Sequence, residues 1–263
     1  MIFGGIFSNG VDFLKSTGND LIGQIDKKTL VKPLKEDPYG IIKAYLVRLQ
    51  NNVEAMILLL NKGYGNPAII LQRSLVEDYL NLFYILKHPN IKPEYLINQF
   101  HEYLKKVQRY KHMQRAEKVG QTIEESLKNQ IIDGYNDFKE TYNDGQKPVS
   151  WSCKNLELQT KELSKALGNY KYNTIYNTLY NILSEEYHKL STTFLNHVNT
   201  SPTLQSASGV GDYRTEETMV SIINLYGEII EEIAKFHGVS NKKYKNVAPK
   251  IIKKLKKQQN KYR

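Results

Sequence analysis

Apolar residues three and four apart recur from Ile41 to Ile233, and no segment alternates convincingly with period two. Spacing of this kind builds helices and leaves no strand from which a sheet could form. The expected fold is therefore an all-α helical bundle with five to seven substantial helices. Asp37-Pro38 is a start signal, an acidic cap with proline at the first helical position. Gly63-Tyr-Gly-Asn-Pro67 breaks that helix, and a second runs from Pro67 to about Lys87, ahead of His88-Pro89. Pro93 opens a third. Thr122-Ile-Glu-Glu125 reads as a capping box for a fourth. After the turn-rich Asn143–Pro148 break, helices are expected over about Asn155–Leu167, Thr174–His197 and Thr215–His237. The long one carries Tyr176, Leu179, Tyr180, Leu183 and Tyr187 on an apolar stripe. The chain thus divides into an N-terminal arm or weakly ordered helix over 1–36, a bundle over 37–238 and a basic tail over 239–263.

The chain has 263 residues, enough to bury a substantial core. Its longest purely apolar run, Ala55–Leu60, is far too short to span a membrane. The start lacks the basic and small-residue features of a signal peptide. A single cysteine, Cys153, rules out an internal disulfide framework and cysteine-based zinc sites. A cytoplasmic location is expected. Charge is unevenly placed: the segment from Lys242 to Arg263 holds nine lysines, one arginine and no acid. The formal net charge is +10, so the rest of the chain is neutral. Such a tail, with Lys253, Lys254, Lys256 and Lys257, is expected to attract RNA or another polyanion, with nucleic acid ahead of membrane. The competing explanation is codon composition, since the chain is rich throughout in lysine, asparagine, isoleucine and tyrosine.

Two polar inserts interrupt apolar helices. Arg73-Ser-Leu-Val-Glu77 lies in the Pro67–Ile85 run, and Ser184-Glu-Glu-Tyr-His188 lies about a hundred residues on. At a spacing of four, Arg73 and Glu77 share a helix face, as do Ser184 and His188. Buried charge is costly unless paired, so Arg73 and Glu77 are expected to pair and the second insert to face them. A structural ion pair and a functional site both remain open. Convergence of the three charged or titratable groups would supply charge stabilisation, orientation and proton transfer. The helix bearing Lys105, Lys106, Arg109, Lys111, His112 and Arg115, with Tyr103 and Tyr110 between them, suits phosphates and bases, or is simply a solvated face. Histidines are scattered without metal-ligand spacing, and neither a metal nor another cofactor is expected. Ser208-Gly-Val-Gly-Asp212 lacks the lysine and preceding strand of a phosphate-binding loop.

The pairing of Arg73-Ser-x-x-Glu77 with Leu183-Ser-x-x-x-His188 resembles a bacterial all-helical domain family of unknown function, similar in turn to the HEPN-type bundles. The resemblance spans roughly Asp37 to His237. It implies a metal-independent ribonuclease of defence or toxin–antitoxin systems, or a non-catalytic binding member, with the site near a homodimer interface. HEPN ribonucleases carry Arg-x(4–6)-His on one helix. None of the six histidines here has an arginine at that distance, so the resemblance has Arg73 and His188 act from separate helices. In that reading His188 is the general acid or base, Arg73 stabilises phosphate charge, Glu77 holds Arg73 and Ser184 orients His188. The alternatives are a helical module that binds nucleic acid or a protein partner, and a bundle that binds a nucleotide or small molecule.

Overall fold

The computed structural model describes residues 2–29, 38–62, 64–188, 215–239 and 242–259. Among these there are helices and no β-strand, as the three-four spacing requires. The chain separates into two compact units, one formed by Met1–Leu82 with Thr174–Arg263 and the other by Phe83–Asn173. The turn at Asn143–Pro148 divides neither.

In the first unit, the segment expected as an arm or a weakly ordered helix forms α1 (Ile2–Thr29). Leu14, Leu21 and Ile25 are buried at spacings of seven and four, and α1 packs on α2 (Pro38–Asn61), α10 (Thr215–Phe236) and α11 (Val247–Gln259). The glycines that suggest weak order in this segment include one that permits the packing. A Cβ at Gly18 would lie 2.5 Å from the Tyr226 hydroxyl and 2.6 Å from Gln50 Oε1. Gln50 is itself buried and donates to Asn19 Oδ1 at 2.6 Å. Ile42, Leu46, Leu49, Val53 and Met56 of α2 and Ile222, Tyr226, Ile229 and Ile233 of α10 complete the apolar interior, together with Leu75, Val76 and Tyr79 of α3 (Gly65–Lys87).

The basic tail begins as a docked element. A 3₁₀ turn (Lys242–Tyr244) buries Tyr244, whose hydroxyl donates to Asp20 Oδ2 at 2.5 Å while Lys243 Nζ donates to the same oxygen at 3.0 Å. In α11 the Val247 amide donates to Glu231 Oε1 at 2.8 Å, and Val247, Ala248 and Ile251 are buried. Among its described side chains, Lys250 and Lys253 are exposed. The side chains of Lys254, Lys256 and Lys257 lie outside the described residues, as does the Ser208–Asp212 loop.

The second unit holds α4 (Pro93–Glu102), a π turn (Tyr103–Gln108) and α5 (Arg109–Lys118) in unbroken succession, then α6 (Glu125–Tyr142) and α7 (Leu156–Ala166). The expected capping box does not form. Glu124 is the cap residue of α6 and makes no side-chain cap bond, so the helix starts three residues after Thr122. Asn155 does cap α7, accepting from the Leu158 amide at 2.8 Å, and Gly168, at φ +64°, ends it.

Hydrogen bonds from Tyr244, then from Lys243, hold the Asp20 carboxyl below its usual value of 3.8. A depressed folded value means the stabilisation is present above the ordinary value and is lost as pH falls through the folded one. Asp20→Asn is expected to cost about 1 kcal/mol at neutral pH, discounted because the carboxylate is partly exposed. The variant should also flatten the acid limb of a urea-unfolding stability profile below about pH 4.

Candidate functional site

Arg73 is half-buried on α3. Its Nε donates to Ser184 Oγ at 3.0 Å and its terminal nitrogen donates to the Tyr180 hydroxyl at 3.2 Å. The guanidinium carbon also lies 5.2 Å from the Tyr180 ring centre, within cation–π range. Tyr180 closes a π turn (Tyr176–Tyr180) between α8 (Lys171–Ile175) and α9 (Asn181–His188). Within that turn the rings of Tyr176 and Tyr180 stack at 5.3 Å and 20°. Both rings stay half-exposed, whereas a simple apolar stripe would have buried them. The two polar inserts thus meet through Arg73 and Ser184. His188 falls four residues beyond Ser184 in the same helix, and its side chain lies outside the described residues.

Glu77 does not hold Arg73. It is exposed, and no ion pair joins the two among the described residues. The buried carboxylate of α3 belongs to the next residue: Asp78 is 3 % exposed and accepts from Arg48 of α2. Its other oxygen, Oδ2, is buried without a hydrogen bond among the described residues. Arg48 also lies over the Tyr45 ring, 5.3 Å from its centre. Burial pushes the Tyr45 hydroxyl up to about 12, against the pull of Arg48 and with a push from Glu77. Spacing alone favours the wrong acid of this adjacent pair, because Glu77 stands one helical turn from Arg73, whereas the partner of Asp78 is thirty residues away.

The basic helix of the second unit divides into two sets. Lys106 bonds Glu102 and Asp137, each at 2.5 Å, and Lys111 donates to the Tyr103 hydroxyl at 2.8 Å. Burial pulls the Lys106 ammonium down, but the bonds to Asp137 and Glu102 outweigh it and hold the group above the usual lysine value. Those two side chains are committed to the fold. Lys105, Arg109, His112 and Arg115 are exposed and make no hydrogen bond or ion pair among the described residues. Among those residues there is also no group of three or more metal-ligating side chains.

One further polar cluster is only weakly marked in the sequence. In the second unit, Glu162 Oε2 accepts from the Tyr84 hydroxyl at 2.8 Å and from Lys154 Nζ at 2.5 Å. Its Oε1 lies 3.6 Å from Nε2 of buried His88, whose Nδ1 accepts from the Asn90 amide. Burial opposes ionisation of Glu162, yet the bonds from Lys154 and Tyr84 hold its carboxyl below 4.5. Burial and this carboxylate together push the Tyr84 hydroxyl upward. Trp151 packs edge-on against Tyr84 at 6.0 Å, so the cluster pins the Ser150–Lys154 loop. Tyr84 and His88 are four apart at the end of α3, a clue the sequence did hold, but Lys154 and Glu162 are distant in the chain.

The model of a family of unknown function, DUF5677, matches residues 39–204. The chain belongs to that family. The matched stretch contains α2, α3, the whole second unit and the Tyr176–His188 segment, so it includes Arg73 and the side chains that bond it. No curated protein and no solved structure matches this DUF5677 member.

Arg48→Ala should strand the Asp78 carboxylate and lower stability by about 2–4 kcal/mol, somewhat under a fully buried pair because Arg48 is largely exposed. Glu77→Ala should change stability by no more than about 0.5 kcal/mol. Chemical unfolding of the two variants side by side checks the assignment.

Proposed function

We propose that the chain is an RNA-cleaving protein of HEPN-like type that works without a metal. The observation that carries this reading is Arg73, fixed by Tyr180 and Ser184 one helical turn ahead of residue 188. A guanidinium with two of its donors held is pre-oriented, and a planar fork suits phosphate oxygens. In the proposed step the RNA 2′-hydroxyl attacks the adjacent phosphorus and His188 takes its proton. The bond from phosphorus to the 5′-oxygen breaks, that oxygen takes up a proton, and a cyclic phosphate is left. Arg73 stabilises the charge that grows on the non-bridging oxygens. Ser184 and Tyr180 act as positioning residues through Arg73, in place of Glu77. The defence or toxin role, the homodimer and the cytoplasmic setting belong to this same reading.

A second reading is non-catalytic RNA binding, favoured by the exposed and unbonded set Lys105, Arg109, His112 and Arg115 on one helix. These would track phosphates while Lys106 and Lys111 keep structural roles.

Purified protein should cleave single-stranded or transfer RNA in the presence of a chelator. His188→Ala should lower the rate by about 10²–10⁴, and Arg73→Lys, which keeps the charge but loses the fork, should also slow it. Both variants must retain the wild-type circular dichroism and melting behaviour. Intact RNA with all three proteins removes the catalytic reading. Binding that persists and weakens steeply with salt would then leave the binding module.

A further inference from the structure

In the second unit one helix sorts its cations by side. Pro93–Lys118 runs through α4, the π turn and α5 without a break. Lys106 bonds Glu102 and Asp137, and Lys111 bonds Tyr103. The carboxylate of Glu117 is likewise held, by Lys128 of α6 at 2.8 Å. Lys105, Arg109, His112 and Arg115 are left exposed, with side chains that bond nothing among the described residues. Their spacing of four, three and three places them on one stripe of the helix, about 15 Å long. Tyr110 stands about 100° around the helix from Arg109, on the side away from His112. Its ring stacks on Tyr135 at 4.0 Å and 7°, and its hydroxyl accepts from Gln114 at 3.0 Å. Tyr103 is buried. Among the described residues from Lys105 to Lys118, no large apolar side chain is exposed.

We propose that this stripe binds the phosphodiester backbone of double-stranded RNA without reading its sequence. The proposal rests on the RNA-binding reading above and adds the form of RNA. Recognition of single strands joins cations to aromatic rings on which bases stack. The stripe has the cations and no ring on the same side. What it offers is charge, and charge is drawn most to paired strands, which carry two rows of phosphates where a single strand carries one. In an A-form duplex the base edges lie in a deep, narrow major groove that side chains cannot read, so contacts to phosphates along the outside carry the binding. Arg109 and Arg115 stay charged, and their planar forks suit phosphate oxygens. An acidic protein would also meet the charge, but protein interfaces centre on aromatic or apolar anchors, and the stripe has none to insert.

The test uses the full chain and short fluorescent 2′-O-methyl RNA duplexes, which have no 2′-hydroxyl to attack and are not consumed. By fluorescence anisotropy, two duplexes of unrelated sequence should bind equally, and more tightly than their separate strands. Affinity should fall steeply with salt. The double variant Arg109→Gln/Arg115→Gln should lower the slope of log Kd against log salt by about two, one for each phosphate contact removed. Lys147→Gln/Lys165→Gln removes the same net charge from exposed positions elsewhere in the unit and should leave the slope unchanged. All four substitutions fall on exposed side chains, and circular dichroism should match wild type. Equal losses of slope in the two double variants reduce the effect to net charge and overturn the stripe. Poly-glutamate bound as tightly as the duplex marks an acidic protein partner and overturns it too. If single strands bind as tightly as the duplex or more so, the duplex proposal fails while the RNA-binding reading stands. If neither form binds, both fall.

Discussion

Burial of the Asp78 carboxylate sets the rotation of α3, and with it the direction of Arg73 and Glu77 on that helix. A charge inside a helical core must find its counter-ion, and Arg48 of α2 supplies it. Successive residues of an α-helix turn by about 100°. With Asp78 inward, Glu77 is carried outward, and Arg73, five positions earlier, is carried to a different side. There it meets Ser184 and Tyr180. One residue of rotation would bury Glu77 and break both contacts. The Tyr79 hydroxyl, bonded to Glu228 at 2.6 Å, locks the same register from α10.

Periodicity made the helices legible because each helix states its own buried face. Pro38, Pro93, Asn155 and Gly168 mark ends by local backbone chemistry, and the structure has boundaries at all four. The helices at the two ends of the chain are hard to read from sequence for a common reason. Their apolar positions, Leu14, Leu21 and Ile25 at one end and Val247 and Ile251 at the other, are too few to declare a helix alone. They become a face only against each other and against α10. Asp20, Tyr244 and Glu231 are likewise ordinary polar residues until the fold joins them.

Part of the candidate site is legible in the sequence. The polar inserts in apolar helices point to Arg73 and Ser184, and the fold brings these two side chains into hydrogen-bond contact. The wrong partner came from treating i, i+4 spacing as sufficient for pairing, when burial decides which acid needs a cation. Tyr176 and Tyr180 read as part of an apolar stripe because helical spacing does not distinguish buried rings from half-exposed ones. The π turn that carries them has no compositional mark. The Glu162 cluster depends on residues far apart in the chain, which no local pattern relates.

The bonds from Asp20 to Lys243 and Tyr244 join positions more than two hundred residues apart. Contacts of such separation form late, because loop closure must precede any gain from them. Phe83–Asn173 has its contacts within one continuous stretch and can organise while the ribosome is still adding the residues beyond Asn173. The unit that holds Arg73 has no such freedom: α1 can meet α2 early, but the part of it that packs on α10 and α11 stays uncovered until those helices have been synthesised. During that interval the apolar surface that α1 keeps for those two helices is open to association with other chains.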